Sequence, residues 1–431
     1  MESNWKQEPL EEITELIVDC PHSTPKWTDS GVIVLRNQNI RNGKLDLSSP
    51  SYTDEEGYQK RIKRAIPRKD DLVFTREAPM GEVCIIPNGI KCCLGQRMVL
   101  LRANKQMVDA KFLLYEMQSS NLKHQISWNE GTGTTVSNIR IPNIKAFQIN
   151  VPPLKEQKRI AHILGSLDDK IELNRQMNQT LEQMSQVMFK SWFVDFDPVI
   201  DNALAAGNPI PEELRTKAEK RKALGKDRKA LPEEIQKLFP DEFEYSEELE
   251  KWMPKGWRVA SFASIAEVKY GKDHKKLEEG NIPVYGSGGI MRYVNQSLHS
   301  GESVLIPRKG TLSNLMYVNE EFWSVDTMFF SILKMEKHAK YLYYNLKLLN
   351  FNEMNVGSAV PSMTTKVLNS LNFILPQTDL VEAFDAYIQN LYNKIEANKT
   401  QIISLTKTRD TLLPKLISGE VRVPEIKKML E

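Results

Sequence analysis

Four cysteines in 431 residues, Cys20, Cys84, Cys92 and Cys93, form no CxxC pair and no metal-ligand spacing. That excludes a disulfide framework and leaves free thiols suited to a reducing cytoplasm. No apolar run approaches the ~18 residues that a membrane span requires. The opening MESNWKQEPLEEI carries no apolar h-region, so no secretory signal is expected and a cytoplasmic location is. Net charge is also nearly absent: 58 Lys and Arg stand against 56 Asp and Glu, giving +2. Any basic surface must therefore arise from how the charges are distributed.

The signatures of chemistry are missing as well. There is no GxxxxGK[ST] loop, so no nucleotide-driven motor, and no Gly-rich dinucleotide fingerprint after a strand. No Asn- or Asp-Pro-Pro-aromatic tetrapeptide, which holds the amino group in base-methylating enzymes, is present. The Pro-Pro pair Pro152-Pro153 is followed by Leu154 and heads a helix. The six histidines (His22, His124, His162, His274, His299, His338) are scattered, without HExxH, and His162 on a long helix reads as structural. The carboxylates near Arg308 and Lys309 are spaced too loosely for a nuclease centre. No catalytic residue, metal site or bound cofactor is expected, so the chain reads as a non-enzyme.

What is present is a core and a repeat. A hydrophobic content of 41% with 26% charged residues is ordinary for a globular protein, and the length suggests two or three domains. Residues 133–193 lie over 357–417 at a constant shift of 224. Gly133, Val136, Pro152, Leu167, Lys170-Ile171-Glu172, Asn174 and Leu181 match Gly357, Val360, Pro376, Leu391, Lys394-Ile395-Glu396, Asn398 and Leu405, apart from the gap-free apolar spacing between them. Upstream, Trp5, Leu10 and Ile13 resemble Trp257, Phe262 and Ile265 at a shift of 252. Two modules on one plan, the first about 28 residues longer before the shared ending, should do similar jobs on unlike targets.

Each module ends in a long heptad-patterned helix. With Ile160 as position a, Leu167, Asn174, Leu181 and Met188 follow at a, and Ile163, Met177 and Met184 at d. The copy carries Phe384, Leu391, Asn398, Leu405 and Leu412 at a, with Tyr387 at d. Lys170 and Lys394 interrupt the seam at d, with stems that snorkel outward. Asn174 and Asn398 either fix register from inside the seam or are solvated. About 40 residues at 1.5 Å each make a rod of roughly 60 Å. Antiparallel pairing of the two helices would give a dumbbell with an approximate twofold axis; the other arrangement packs each helix only on its own globular part.

The globular parts mix short strands with a following helix, which suggests α+β units. Residues 1–152 hold strand-like runs Gly31–Arg36, Asp70–Arg76, Gly81–Pro87 and Arg97–Arg102, then a helix Asp109–Ser120. Residues 254–376 hold Glu302–Arg308, Asn314–Asn319 and Met328–Lys334, then a helix Lys337–Leu349. The expected organisation is 1–152 globular, 153–196 helix, 197–253 connector, 254–376 globular, 377–418 helix and 419–431 tail. The charged run Arg215–Lys229 in the connector is read as a solvated helical face or a phosphate contact. Residues 60–69, KRIKRAIPRK, place Lys60, Arg61, Lys63 and Arg64 where they either contact phosphates or form an exposed charged helix. Arg76, Gln96, Arg97, Arg292, Arg308 and Lys309 sit near expected turns, and Arg and Gln are types that read guanine and adenine edges.

Longer strings carry a resemblance. These are GTTVSNIRIPNIKAFQINVPPLKEQKRIAHILGSLDDKIELN, SWFVDFDPV, LFPDEF with PKGW, and the closing LLPKLISGEVRV. With the duplicated plan, they make the chain similar, over nearly its whole length, to type I restriction–modification specificity subunits. The second helix start, LPQTDLVEAFDAYI, departs by lacking the Glu-Gln pair. The resemblance implies two target-recognition domains reading the halves of a split, asymmetric double-stranded DNA site, joined by two long antiparallel coiled-coil helices. It implies two methylating subunits and motor–nuclease subunits as partners. S-adenosylmethionine, ATP and magnesium would all be bound by those partners. The alternative is a DNA-binding adaptor of another defence or modification complex.

Overall fold

The computed structural model describes residues 5–77, 79–129, 138–225, 231–351, 353–354 and 362–423. Gly133, Val136, Gly357, Val360 and Lys226, Arg228 and Lys229 of the connector lie outside them. The chain forms two compact units: residues up to Gln176 with those from Asn398 onward, and Met177–Ala397.

The first unit is built on a four-stranded antiparallel sheet in the order Thr14–Asp19, Met98–Ala103, Leu72–Thr75, Val83–Ile85. Strand periodicity explains why its central strands are mostly apolar. Leu72 and Phe74, with Val99 and Leu101, face the core under the helix Ala110–Glu116. Val73, with Met98 and Leu100, faces a second core that also holds Cys20, Cys84 and Cys92. A smaller sheet sets Val32–Leu35 between antiparallel Ser51–Thr53 and parallel Cys92–Leu94. The helix Ala110–Glu116 starts where the Asp109 carboxylate accepts the Phe112 N–H.

The second unit repeats this order. Its six-stranded sheet runs Ala266–Tyr270, Met328–Leu333, His299–Pro307, Met316–Ser324, Glu279–Gly286, Gly289–Val294. The first four strands match the first unit's sheet. The strand Met316–Ser324 performs in one run what Val83–Ile85 and Cys92–Leu94 perform in two. It pairs antiparallel with His299–Pro307 and, near its end, parallel with Glu279–Gly286. The closing strand pairs agree residue for residue: Lys6 faces Val151 as Arg258 faces Leu375, and Pro9 faces Gln148 as Ser261 faces Asn372. The helix Ala339–Lys347 begins AKYLYYN where Ala110–Glu116 reads AKFLLYE. That match is invisible at the shift of 224 because the loops between have different lengths.

The long helices are Leu154–Phe193 and Thr378–Ser418. In the first unit Ile160 and Leu164 share a core with Leu412, Leu416 and Ile417. In the second unit Phe189 and Trp192 pack on Phe384, and Trp192 on Tyr387. Within each unit, then, the two helix segments run antiparallel. The seam differs from the expected one. Buried or half-buried positions step by four and three through Ile160, Leu164, Leu167, Ile171, Asn174, Asn178, Leu181, Ser185, Met188 and Trp192. The copy steps through Phe384, Ile388, Leu391, Ile395, Asn398, Ile402, Leu405, Arg409, Leu412 and Leu416. The residues read as position a therefore occupy d, and the partner stripe lies one residue beyond the one expected. Met184 is exposed and Ile171, not Lys170, enters the seam. The expected interruption at Lys170 and Lys394 disappears with this correction.

Residues 197–253, read from the sequence as a connector, are structured. They fold as helices Asp197–Ala206, Glu212–Leu224 and Glu233–Gln236 and a hairpin of Phe243–Ser246 with Lys251–Pro254. Leu214, Phe239 and Met253 are buried in the second unit's core beside Trp192, Phe193 and Trp257. In the charged run, Lys217 lies 2.6 Å from Asp195, and Arg221 pairs with Asp197 and Asp201. These cations stabilise the unit's own surface. Among the described residues no helix is long and apolar enough to cross a membrane.

Candidate nucleic-acid interface

In the first unit a groove of about 480 Å³ is lined by Trp27, Arg36, Asn37, Gln38, Arg41, Gln96 and Arg97, with Pro25 and Pro79. Two chain segments build it. The strand Val32–Leu35 ends in Arg36-Asn37-Gln38-Asn39, a single 3-10 turn. Buried Asn39 locks that turn: its Oδ1 accepts the Arg36 N–H at 2.9 Å and its Nδ2 donates to Asp46 O at 2.9 Å. The second segment follows Cys92–Leu94, where Gly95 N donates to Leu35 O at 2.7 Å. A Cβ on Gly95 would lie 2.6 Å from that oxygen, so only glycine lets the two segments approach this closely. Gln96 then donates to His22 O, and Arg97, at φ +69°, projects with half its surface open and pairs with Glu77 at 2.9 Å. The Arg36 guanidinium stands 5.0 Å above the ring of Trp27, itself 44% exposed. Forked donors, amides and an open ring on rigid supports can read base edges and hold phosphates.

The other expected contacts separate into two groups. Lys60, Lys63 and Arg64 are exposed outside the groove, with Lys60 paired to Glu56 at 2.6 Å and Arg64 donating to Asp19 O at 3.3 Å. Arg61 and Arg76 are corrections. Arg61 is buried and donates to the carbonyls of Leu94, Ser23 and Pro21 at 2.6, 3.0 and 3.0 Å. A helix of seven residues that buries Tyr58 must turn its neighbour at i+3 inward as well. Arg76 is largely covered and held by Asp19 at 2.8 Å.

The second unit's equivalent of this groove carries different groups. The turn after Glu279–Gly286 is Ser287-Gly288 instead of Arg-Asn-Gln-Asn, and Val325 N donates to Tyr285 O at 3.0 Å where Gly95 donates to Leu35. Arg308 N donates to Thr327 O as Arg76 N donates to Arg97 O, so Thr327 stands in the place of Arg97. Arg308 is half-buried, donates to Asp326 O at 3.2 Å and lies 5.4 Å over Tyr270. Lys309 is exposed and its backbone bridges to Ser362. Arg292 sits apart, half-buried on the edge strand Gly289–Val294, donating to Leu277 O at 2.9 Å. The expected residues missed Trp27, Arg36, Asn37, Gln38 and Arg41. Their signal was legible: a guanidinium and three amides directly after the apolar run GVIVL.

The four cysteines are free and buried, and burial pushes the thiols of Cys84 and Cys92 up to about 12 and that of Cys93 to about 11. Burial likewise raises Glu116 to about 7 against the hydrogen bonds it accepts from Asn150. Among the described residues no cluster of three or more His, Cys, Asp or Glu is able to hold a metal ion.

The helix starts explain the one departure noted in the sequence. Gln157 is buried, donates to Met107 O and Pro152 O at 2.9 and 2.7 Å, and accepts the Asp109 N–H at 2.8 Å. In the second unit buried Leu380 and Val381 stand in place of Glu156-Gln157, so apolar packing replaces the polar clamp.

The profile of the family described as Type I restriction modification DNA specificity domain matches residues 2–183 and 254–407. The MjaIX type I restriction enzyme specificity subunit of Methanocaldococcus jannaschii is 25% identical over 83% of this chain and 79% of its own length. The HindI specificity subunit of Haemophilus influenzae is 24% identical over 83% of this chain and 88% of its own. A crystal structure of a type I restriction–modification S subunit from M. genitalium shares the fold, with a TM-score of 0.52 at 19% identity across 96% of both chains.

Proposed function

Because this chain belongs to the type I restriction–modification DNA specificity family, we propose that its two units read the two halves of a split, asymmetric site in double-stranded DNA. The specificity subunit is the non-catalytic member of such a system. The observation that carries the reading is the pairing of a shared framework with unlike contents. The order of four sheet strands and the register of the closing strand pair agree between the units, while Arg36–Asn39 and Arg97 in one are replaced by Ser287-Gly288 and Thr327 in the other. A shared scaffold with different side chains at one place is what two different half-sites require.

In the first unit the reading set is Arg36, Asn37, Gln38, Arg41, Gln96 and Arg97, with Lys60, Lys63 and Arg64 on phosphates. In the second it is Arg308 and Lys309, with Arg292. The two recognition domains are taken as 1–152 and 254–376, and the long helices 153–196 and 377–418 set the gap between half-sites through Ile160, Leu167, Asn174, Leu181 and Met188 on one and Phe384, Leu391, Asn398, Leu405 and Leu412 on the other. The partners are two methylating subunits and the motor–nuclease subunits. The first supply S-adenosylmethionine chemistry on a flipped adenine, and the second use ATP and magnesium. The site of action is the cytoplasm. Sequencing methylated adenines in a host with and without this gene tests the reading. Loss of methylation at one bipartite motif supports it; an unchanged methylation pattern rejects it.

A further inference from the structure

The repeat places the helices Ala110–Glu116 and Ala339–Lys347 in equivalent positions against the long helices, and their contacts correspond. Tyr115 donates to Asp168 at 2.7 Å; Tyr344 bonds Tyr392 at 2.8 Å, and Tyr392 is the counterpart of Asp168 at the shift of 224. The counterpart of Lys111 is therefore Lys340. Lys340 is 1% exposed and fully engaged: its Nζ lies 2.6 Å from Asp385, 2.7 Å from Gln389 and 3.8 Å from Glu302, over the rings of Tyr317 and Tyr392. A second cation on the same face, Lys337, pairs with Glu382 at 3.3 Å.

In the first unit every one of those acceptors has gone from the long helix. Asp385 is replaced by Ala161, Gln389 by Gly165 and Glu382 by Lys158. What remains is a notch of about 270 Å³ lined by Lys111, Lys158, Ala161, His162, Gly165 and Ser166, together with Asp109 and Asp169. Lys111 and Lys158 make no ion pair among the described residues. Asp109 is occupied in capping its helix, which leaves Asp169 as the other carboxylate in the lining. Gly165 is buried, and an added Cβ would meet only Lys111 Nζ at 3.8 Å and Tyr115 Oη at 3.9 Å. The space is real, and it lies where the other unit seats a carboxylate and an amide.

We infer that this notch is a docking site for an acidic side chain, Asp or Glu, of a protein partner. The partner's carboxylate takes on Lys111 the place that Asp385 takes on Lys340. The two lysines give charge complementarity, and about one-third of the notch suffices for a carboxylate side chain when a water occupies about 30 Å³. Three observations favour a protein carboxylate over a DNA phosphate. The equivalent site seats the Asp385 carboxylate beside a neutral amide, with Glu302 farther off at 3.8 Å, and Asp169 in the lining opposes a more highly charged group. The notch also shares no residue with the groove proposed to read DNA. Only one of the two units has it. The site thus gives a partner a way to distinguish two otherwise similar helix starts.

The inference rests on the functional reading in taking the methylating subunit as that partner. The test uses the full chain and the methylating subunit encoded with it. Two variants are compared: A161D with G165Q, which installs the second unit's own acceptors, and Lys111→Glu. The first restores a pairing already present in the other unit and replaces a helical glycine, so its melting temperature should equal or exceed the parent's. The expected result is at least a tenfold weaker association of the methylating subunit with both variants, and retained DNA affinity at equal salt. Parental affinity of the methylating subunit for both variants overturns the inference, as does loss of DNA binding with that affinity retained, which would assign the notch to a phosphate. Failure of the unmodified chain itself to bind the methylating subunit overturns the functional reading and the inference with it.

Discussion

Arg61 and Arg97 show how little residue type alone says about role. The guanidinium of Arg61 is spent on three carbonyls of its own unit, whereas that of Arg97 is open on one side and turned into a groove. Replacing Arg61 with Ala strands buried acceptors and should cost about 2–4 kcal/mol of stability. Replacing Arg97 with Ala should leave stability within about 0.5 kcal/mol and weaken binding of the cognate site by about 1–3 kcal/mol. Thermal denaturation and a DNA titration of each variant check this; an Arg97 variant that melts early but binds normally contradicts it. Glu116 gives a pH test at the same scale. Its pKa is raised from 4.5 to about 7 in the folded chain by burial. The folded state therefore holds the extra proton between those values, and the group's contribution to stability, complete below pH 4.5, is lost as pH rises through 7. E116Q should remove that slope, leaving the variant more stable than the parent by about 2–3 kcal/mol above pH 7. Parallel stability profiles of the two proteins from pH 4.5 to 8 would contradict the assignment.

At the scale of elements, strands and helices were largely legible, and the reasons for the misses are physical. The long helices declared themselves through spacing and the prolines at their starts. Their seam was set one stripe off, because Ile163, Met177 and Met184 suit a core as well as Ile171 and Ser185 do in composition. Packing chose the stripe that keeps Lys170 and Lys394 out. The connector was misjudged because its charged helices hide few apolar residues, Leu214 and Phe239 among them, that dock on aromatic rings contributed from far along the chain. The reading groove was half found. Turn signals mark Gln96 and Arg97, and the run after GVIVL marks Arg36–Asn39, but only a parallel strand pairing brings the two segments together, which local sequence does not announce. The seam carries its own prediction. Asn174 is buried and donates to Gln401 at 2.7 Å, but its Oδ1 has no partner among the described residues. Such a half-satisfied amide costs stability and favours one register. Asn174→Leu should raise the melting temperature, while a four-residue insertion after Asn174 should change the tolerated gap between half-sites and leave both half-site sequences intact. A change in preferred bases would show that the helix is no spacer.

For the whole molecule, a net charge of +2 conceals the proposed activity, since whatever binds DNA must do so through local clusters. Affinity of the assembled chain and methylating subunit for duplex DNA should fall about 10³-fold or more between 50 and 200 mM salt; a flat salt response contradicts phosphate-anchored binding. The central claim is that two units of one plan read two unlike half-sites independently. The most direct measurement replaces residues 1–152 with the corresponding unit of another family member and maps methylated adenines across the host genome. One half of the recognised motif should change while the other half and the gap between them stay as they were. A motif altered in both halves, or in neither, would contradict the account.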